Sequence, residues 1–217
     1  MGSITRSFAN NITTSGVLLP ASLNNNSISN VTAYNAAVST GNMVLISSQT
    51  ASDSASISFT TGIDSTYKEY QFWFVDIHPR TNNVNFTFNM STDSGSNYNV
   101  TKTTTLFRAY QDEGSTNSEL AYYTPIDLAQ STAFKVIMEG LGTASDESGT
   151  GLLKLFNPSS TTYVKHFICR TQAVYYGGYS FDYHTAGYGN TTSAVNAVQF
   201  KMSSGNIDGT ILMYGIK

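Results

Sequence analysis

The sequence predicts an all-β protein, an antiparallel two-sheet sandwich of jelly-roll type with an extended N-terminal arm. From Met43 to Ile216, apolar and polar residues alternate almost continuously, and a period of two is the pattern of half-buried strands. Clusters of Gly, Ser, Asn and Asp separate these runs, as turns between antiparallel strands do. Many short strands without a long helix favour two packed sheets around one core.

The first 40 residues differ from the rest because they show no sustained alternation. Their apolar side chains form two small clusters within a polar chain, which offers too little apolar surface to fold alone. We therefore expect residues 1–40 to form an arm for attachment or assembly and residues 41–217 to form the sandwich domain. The candidate contacts of the arm are Phe8, Ile12, Val17, Leu18 and Leu19.

About ten alternating runs make up the predicted domain, each of ordinary strand length. They are residues 43–49, 55–60, 67–77, 84–90, 104–110, 133–138, 152–155, 163–170, 194–202 and 210–216. The third run is apolar on both faces, as a central strand is, so we expect Trp73 to be buried. Cys169, the single cysteine, is expected to be a small core side chain. The other expected core residues are Ile57, Phe59, Phe72, Phe74, Phe86, Phe88, Phe167, Val198 and Phe200.

One segment, residues 124–130, carries helical signals. Thr124 is a candidate N-cap, Pro125 suits the first helical position, and Asp127 would face the positive end of the helix dipole. Because this segment is short, the predicted helix content stays under about 10%, well below the globular average.

The composition argues against several classes of partner. Only 12% of the residues are charged and the formal net charge is −3, with Lys and Arg scattered singly. A nucleic-acid binder needs a basic stripe that replaces the counterions of the phosphates. No run approaches the roughly 20 apolar residues of a membrane span, and no apolar stretch of signal-peptide length follows Met1. We therefore expect no nucleic acid, no membrane and synthesis in a cytoplasm.

No motif spells out an enzymatic reaction, since neither Gly-x-Ser-x-Gly nor His-Glu-x-x-His occurs. The acids Asp76, Glu139 and Asp182 are expected to be solvated residues of turns and strand faces. The run from Asp93 to Asn97 matches a calcium loop in composition but lacks its ligand spacing, so we interpret it as a hairpin turn. The sequence predicts no catalytic residue, no cofactor and no metal.

The most distinctive stretch is residues 174–190, where five tyrosines, one phenylalanine and one histidine lie among glycines. We expect loops in which glycines permit sharp turns and rigid amphipathic rings project outward. Two interpretations stay open: the rings cover an open end of the sandwich, or they contact a partner protein or a glycan. The candidate contacts are Tyr175, Tyr176, Tyr179, Tyr183, His184 and Tyr188.

Several stretches of the chain resemble structural proteins of tailed bacteriophages, particularly those that infect marine bacteria and cyanobacteria. The stretches are residues 16–20 (GVLLP), 59–70 (FTTGIDSTYKEY), 76–79 (DIHP), 155–167 (LFNPSSTTYVKHF), 200–207 (FKMSSGNI) and 214–216 (YGI). The resemblance covers most of the chain, and such proteins include virion, tail-fibre and capsid-associated components. It brings no catalytic residues with it.

The resemblance implies a non-enzymatic virion protein, a capsid decoration, fibre or appendage subunit that binds other virion proteins after synthesis in the host cytoplasm. A neutral, tyrosine-rich surface also favours self-association, and a homo-trimer is expected by analogy with phage fibres and decorations. The alternative is a carbohydrate-binding or receptor-binding module that contacts host-surface glycans through the loops of residues 175–188.

Overall fold

The structure is a computed structural model that describes residues 42–217, so the expected arm and its contacts Phe8, Ile12, Val17, Leu18 and Leu19 lie outside the described residues. The described part contains twelve strands and one short 3-10 turn. The strands are β1 (Met43–Ser54), β2 (Ile57–Phe59), β3 (Glu69–Pro79), β4 (Val84–Ser91), β5 (Lys102–Asp112), β6 (Ser118–Tyr122), β7 (Lys135–Leu141), β8 (Gly149–Phe156), β9 (Lys165–Tyr175), β10 (Tyr179–Gly189), β11 (Ala197–Met202) and β12 (Ile207–Ile216).

Eight of these strands form a jelly roll. One sheet has the order β1-β12-β3-β8 and the other the order β2-β11-β4-β7, with every pair antiparallel. The pairs β1–β12, β2–β11, β3–β8 and β4–β7 are nested in sequence, as they are when one long hairpin is wound into two sheets. The expected all-β antiparallel sandwich of jelly-roll type is therefore confirmed.

The other four strands are insertions that widen the first sheet. Strands β5 and β6 come after β4 in the chain, and strands β9 and β10 come after β8. Together these four strands extend the sheet in the order β8-β9-β10-β5-β6. A bridge between Leu141 and Tyr175 joins β7 to β9, which makes the sandwich a nearly closed barrel. Beyond that bridge, the Thr171 hydroxyl donates to the Ile137 carbonyl at 2.5 Å, so side chains continue the closure where the ladder stops.

The core is built from phenylalanine, and all nine of the alternating residues expected there are 3% exposed or less. Phe200 lies at its centre, with ring centroids 5.2–6.3 Å from those of Phe59, Phe72, Phe74, Phe86 and Phe88. Cys169 is buried as expected. The alternation from one strand to the next therefore assigned the inner face correctly.

One expectation was wrong and a second holds only in part. Trp73 is 41% exposed, because the inner face of β3 is formed by Tyr70, Phe72 and Phe74, and the alternation turns the indole outward. The expected helix is a 3-10 turn of Thr124–Ile126, preceded by Tyr123 without a side-chain cap. Within residues 42–217, no helix is long and apolar enough to cross a membrane.

Three lysines are fully buried, which no pattern in the sequence predicts. Lys102, Lys135 and Lys165 begin strands β5, β7 and β9, and each ammonium donates to backbone carbonyls of neighbouring loops. Lys102 also donates to Oδ1 of Asn89 at 2.5 Å. Burial lowers the pKa of Lys102 to about 7 and that of Lys135 to about 8. The inner faces of β5, β7 and β9 thus each carry a buried lysine beside the apolar side chains of the core.

Candidate functional site

The tyrosine-rich stretch is a β-hairpin, which corrects the expectation of loops at residues 175–188. Strands β9 and β10 pair along their whole lengths, and only residues 176–178 form the connection. Gly178 has a φ of +75°, the left-handed position that closes three-residue hairpins and that glycine fills without strain. Because the stretch is a strand, its rings alternate between two faces of the sheet.

The six candidate contacts consequently separate into three groups. Tyr183 is fully buried, so its assignment as a partner contact was wrong; its hydroxyl donates to the Glu139 carbonyl at 3.3 Å. Tyr175, Tyr176 and Tyr179 lie at the hairpin tip. His184 and Tyr188 lie on the opposite, outward side of β10.

The hairpin tip lines a cavity of about 290 Å³, here called the hairpin cavity. It lies under the inner face of the widened sheet, beside strand β7. Its lining residues are Arg108, Tyr110, Tyr123, Glu139, Tyr175, Tyr179 and Phe181. Tyr110 and Tyr179 meet edge to face at 5.7 Å, and Tyr175 packs against Phe181 at 5.3 Å. The cavity therefore has aromatic walls on several sides.

An ion pair forms the polar part of the hairpin cavity. Arg108 Nη1 lies 2.6 Å from Glu139 Oε2, and the Tyr123 hydroxyl donates to Glu139 Oε1 at 3.3 Å. The guanidinium carbon lies 3.5 Å from the Tyr123 ring centroid and 4.8 Å from that of Phe181. Arg108 Nε is buried and has no hydrogen-bond partner within the described residues. The guanidinium of the ion pair thus lies against the rings of Tyr123 and Phe181, and Arg108 Nε is its one N–H donor that is buried without a partner among the described residues.

Two tyrosines of the hairpin cavity, Tyr123 and Tyr175, have raised pKa values. Burial, followed by a hydrogen bond with Tyr176, raises the pKa of Tyr175 to about 12. Burial and the nearby Glu139 carboxylate also raise the pKa of Tyr123. Aromatic faces beside neutral hydroxyls and a neutralised ion pair suit a small, uncharged, hydroxyl-rich ligand.

Sequence reasoning found Tyr175 and Tyr179 but missed the rest of the hairpin cavity. The alternation in residues 104–110 does place Arg108 and Tyr110 on one face, a signal that was available. The sequence does not predict that this face contacts Glu139, because the contact depends on how β5 and β7 are placed in the sandwich.

The outward side of the widened sheet, here called the outer face, carries His184 and Tyr188. His184 stacks on Phe107 with a centroid distance of 4.7 Å and an interplanar angle of 10°. Asp182 accepts two hydrogen bonds from Arg170, at 2.8 and 3.1 Å, and the first cause of its lowered pKa is this guanidinium. The Tyr188 hydroxyl accepts from Gln130 Nε2 at 3.3 Å.

Large apolar side chains are concentrated on the outer face. Of the ten exposed large hydrophobic residues within the described chain, eight lie there. They are Met43, Leu45, Trp73, Val75, Phe107, Leu120, Tyr122 and Ile168. The other two, Tyr163 and Tyr176, lie in loops.

The acids considered from sequence do not meet at one site, since Glu139 lies under the inner face and Asp182 on the outer face. In the part of the chain that the structure describes, no three His, Cys, Asp or Glu side chains are grouped to hold a metal ion. Asp93 accepts hydrogen bonds from the Ser91 hydroxyl and from Asn97 within its own turn, and they lower its pKa to about 2. Comparison with protein-family models, curated proteins and solved structures found no match to this chain.

Proposed function

We propose that this chain is a non-enzymatic structural protein of a bacteriophage particle, a capsid decoration, fibre or appendage subunit that binds other virion proteins. The observation that carries the proposal is the outer face, where eight exposed large hydrophobic side chains lie on one sheet of a jelly roll. Monomeric proteins rarely expose contiguous apolar patches of more than a few hundred Å², and larger ones mark interaction surfaces. The phage-like stretches of the sequence agree with such a role.

In this proposal residues 1–40 attach the protein to its neighbours and the domain packs against virion proteins. The protein is a homo-oligomer, with a trimer favoured, located in the virion after assembly in the host cytoplasm. Roles in nucleic-acid or membrane binding are disfavoured by the scattered basic residues and the absence of long apolar runs in the sequence.

Purified particles of the phage that encodes the chain test this proposal. Mass spectrometry should find the protein in stoichiometric amounts, and cryo-electron microscopy should place its sandwich domain on the particle. A variant that lacks residues 2–40 should keep a strand-type circular dichroism spectrum but fail to enter particles. Absence of the full-length protein from particles would refute the proposal, and normal incorporation of the truncated variant would move attachment to the domain.

A second candidate function is glycan binding, and the hairpin cavity is the observation that favours it. Its tyrosine rings can stack on the apolar faces of a pyranose, and the tyrosine hydroxyls can hydrogen-bond sugar hydroxyls. In a phage particle this site would contact host-surface glycans, so the two functions are compatible.

A glycan array tests the second function. Specific binding that Tyr179→Ala abolishes, while Tyr163→Ala preserves it, would support the cavity, because Tyr163 is 71% exposed and lies outside it. Tyr176→Ala reports whether the exposed ring at the hairpin tip takes part. No specific signal for the wild-type protein, or equal loss in the Tyr163→Ala control, would count against glycan recognition at this cavity.

A further inference from the structure

The outer face presents a continuous row of side chains across six strands. Each residue of the row lies directly opposite the next one on the neighbouring strand. The row consists of Trp73 (β3), Leu152 (β8), Arg170 (β9), His184 (β10), Phe107 (β5) and Tyr122 (β6). Strands lie about 4.8 Å apart, so the row is about 24 Å long. Ile168 lies in the adjacent row, two residues before Arg170 on β9. We propose that this face is where a second copy of the chain binds.

The polar side chains beside Trp73 and Arg170 on the outer face bond one another, which argues for a protein rather than a sugar. Trp73 Nε1 donates to Gln71 Oε1, Gln71 Nε2 donates to Glu69 Oε1, and Glu69 pairs with Lys154 at 3.3 Å. Arg170 and Asp182 form a second pair. Sugar recognition needs free donors and acceptors, whereas association of two proteins depends on removing exposed apolar and aromatic surface from water.

The charges of the outer face are compatible with a second copy of itself. Like charges normally oppose the association of two identical surfaces. Here the charges within each of the two ion pairs cancel, so two such faces can meet without net repulsion. The area also fits. The row of six strands spans about 24 Å and the strands are about 25 Å long, which gives a footprint on the order of 600 Å², the lower end of what one partner contributes to a stable interface. An identical surface on both partners is the commonest arrangement in homo-oligomers and gives a two-fold pair, so this face would join two copies, whereas a trimer would be held by other contacts.

The aromatic side chains of the row are the expected anchors of the contact. Trp73 is 41% exposed, Phe107 47% and Tyr122 58%, so each offers about 100 Å² for burial. Tryptophan and tyrosine dominate the energetics of protein interfaces, because they bury much surface and lose little side-chain entropy. This inference deepens the proposed function and rests on it, since it names a partner for the contact surface.

Trp73 makes the inference directly measurable because it is the only tryptophan of the chain. With the full chain, light scattering gives the number of copies while tryptophan emission and acrylamide quenching report on the outer face. As the protein associates, Trp73 emission should shift to shorter wavelength and quenching should fall. Ile168→Glu replaces an apolar contact near the centre of the face by a carboxylate whose cross-strand neighbour, Lys154, already pairs with Glu69. Burying this carboxylate against a second copy is unfavourable, and we expect association at least about tenfold weaker.

Tyr163→Glu is the matched control, because Tyr163 is more exposed than Ile168 but lies off the outer face. It should associate like the wild-type protein, and circular dichroism should be unchanged in both variants. A wild-type monomer at high micromolar concentration would overturn the inference. So would association that leaves Trp73 accessible or survives Ile168→Glu, or a Trp73 already shielded in the monomer. Each of these results leaves incorporation into particles, the test of the proposed function, unaffected.

Discussion

Two parts of one hydrophobic core differ in composition: the phenylalanine cluster between the jelly-roll sheets, and the mixed apolar and polar surface under the inserted strands. Between the jelly-roll sheets the core is phenylalanine, with Phe200 in contact with five other rings. Under β5, β9 and β10 the buried side chains include polar ones. They are Lys102, Thr104, Lys165, Thr171, Tyr183 and Thr185.

The two regions therefore obey different rules. An apolar core is held by non-directional burial, so its stability depends on volume and tolerates changes in detail. Buried polar groups need hydrogen-bond partners, so those that find them fix the loops and strand edges to which they are bonded. Thr171 bonds the edge of β7, and Lys165 bonds the loop carbonyls of Tyr163 and Thr191. The hairpin cavity lies in this second region, where positions are set by directed contacts.

Phe200→Ala should have the largest effect, because it removes the central ring of the apolar region. We expect the free energy of unfolding to fall by about 3–5 kcal/mol, measured by urea denaturation. Phe107→Ala is the control on the outer face, where the ring is 47% exposed, and should cost far less. A loss below about 1 kcal/mol for Phe200→Ala would mean that the phenylalanine cluster is not the main source of stability.

Lys102→Met should change how stability depends on pH. Burial lowers the pKa of Lys102 from 10.5 to about 7, so between pH 7 and 9 the folded protein releases a proton that the unfolded chain keeps. The unfolded state then binds more protons, and the free energy of unfolding of the wild-type protein rises with pH, by about 2 kcal/mol from this residue over that window.

Lys102→Met should lose that part of the rise, while the smaller rise from Lys135, whose pKa burial lowers to about 8, remains in the same direction. Lys154→Met, on the outer face, should retain the full rise. Denaturation curves at pH 7, 8 and 9 give the comparison. A wild-type protein whose stability is flat or falls over this window would contradict a lowered pKa of Lys102 in the folded state.

The same contrast explains what could be predicted from sequence. Alternation assigns inner faces when one face is apolar, so Phe86, Phe88 and Phe200 were placed correctly. It failed at Trp73, because β3 is apolar on both faces and no second layer covers its outer side within the described residues. Apolar character on two faces indicated burial, whereas here it marks a surface.

The candidate site was only partly predictable for a related reason. Its residues come from β5, β7, the β9–β10 hairpin and the segment after β6. Of these segments, only the hairpin has a composition that suggests a binding site. Tyr183 was misassigned because a tyrosine among glycines resembles an exposed loop residue, although its alternation with Phe181 and Thr185 gives an inner strand face. The buried Lys102 looked like any solvated lysine at the start of a strand.

Gly140→Ala should disturb the hairpin cavity, because Gly140 lies against Tyr175, one of the lining residues. Gly140 has a φ of +63°, and an added Cβ would overlap the Tyr175 ring that lies on it. We expect a cost of about 1–2 kcal/mol from the backbone strain alone, together with displacement of Tyr175. Gly114→Ala is the control, since that glycine has an ordinary φ and nothing closer than 3.8 Å to a new methyl. Equal stability of the two variants would mean that the Tyr175 contact does not constrain β7.

Tyr183→Phe should have the smallest effect and tests the polar region most directly. The change keeps the ring, which stacks on Phe181 at 5.3 Å, and removes only the hydroxyl that donates to the Glu139 carbonyl. We expect a loss of about 1 kcal/mol, the usual net contribution of one hydrogen bond, while Tyr163→Phe on the surface should change nothing measurable. Amide exchange along β7 should also quicken near Glu139, because that carbonyl helps to hold the strand edge against β10. Unchanged stability with unchanged exchange would show that packing alone closes the barrel at this edge, and the contrast between the two regions would then rest on the lysines and Thr171.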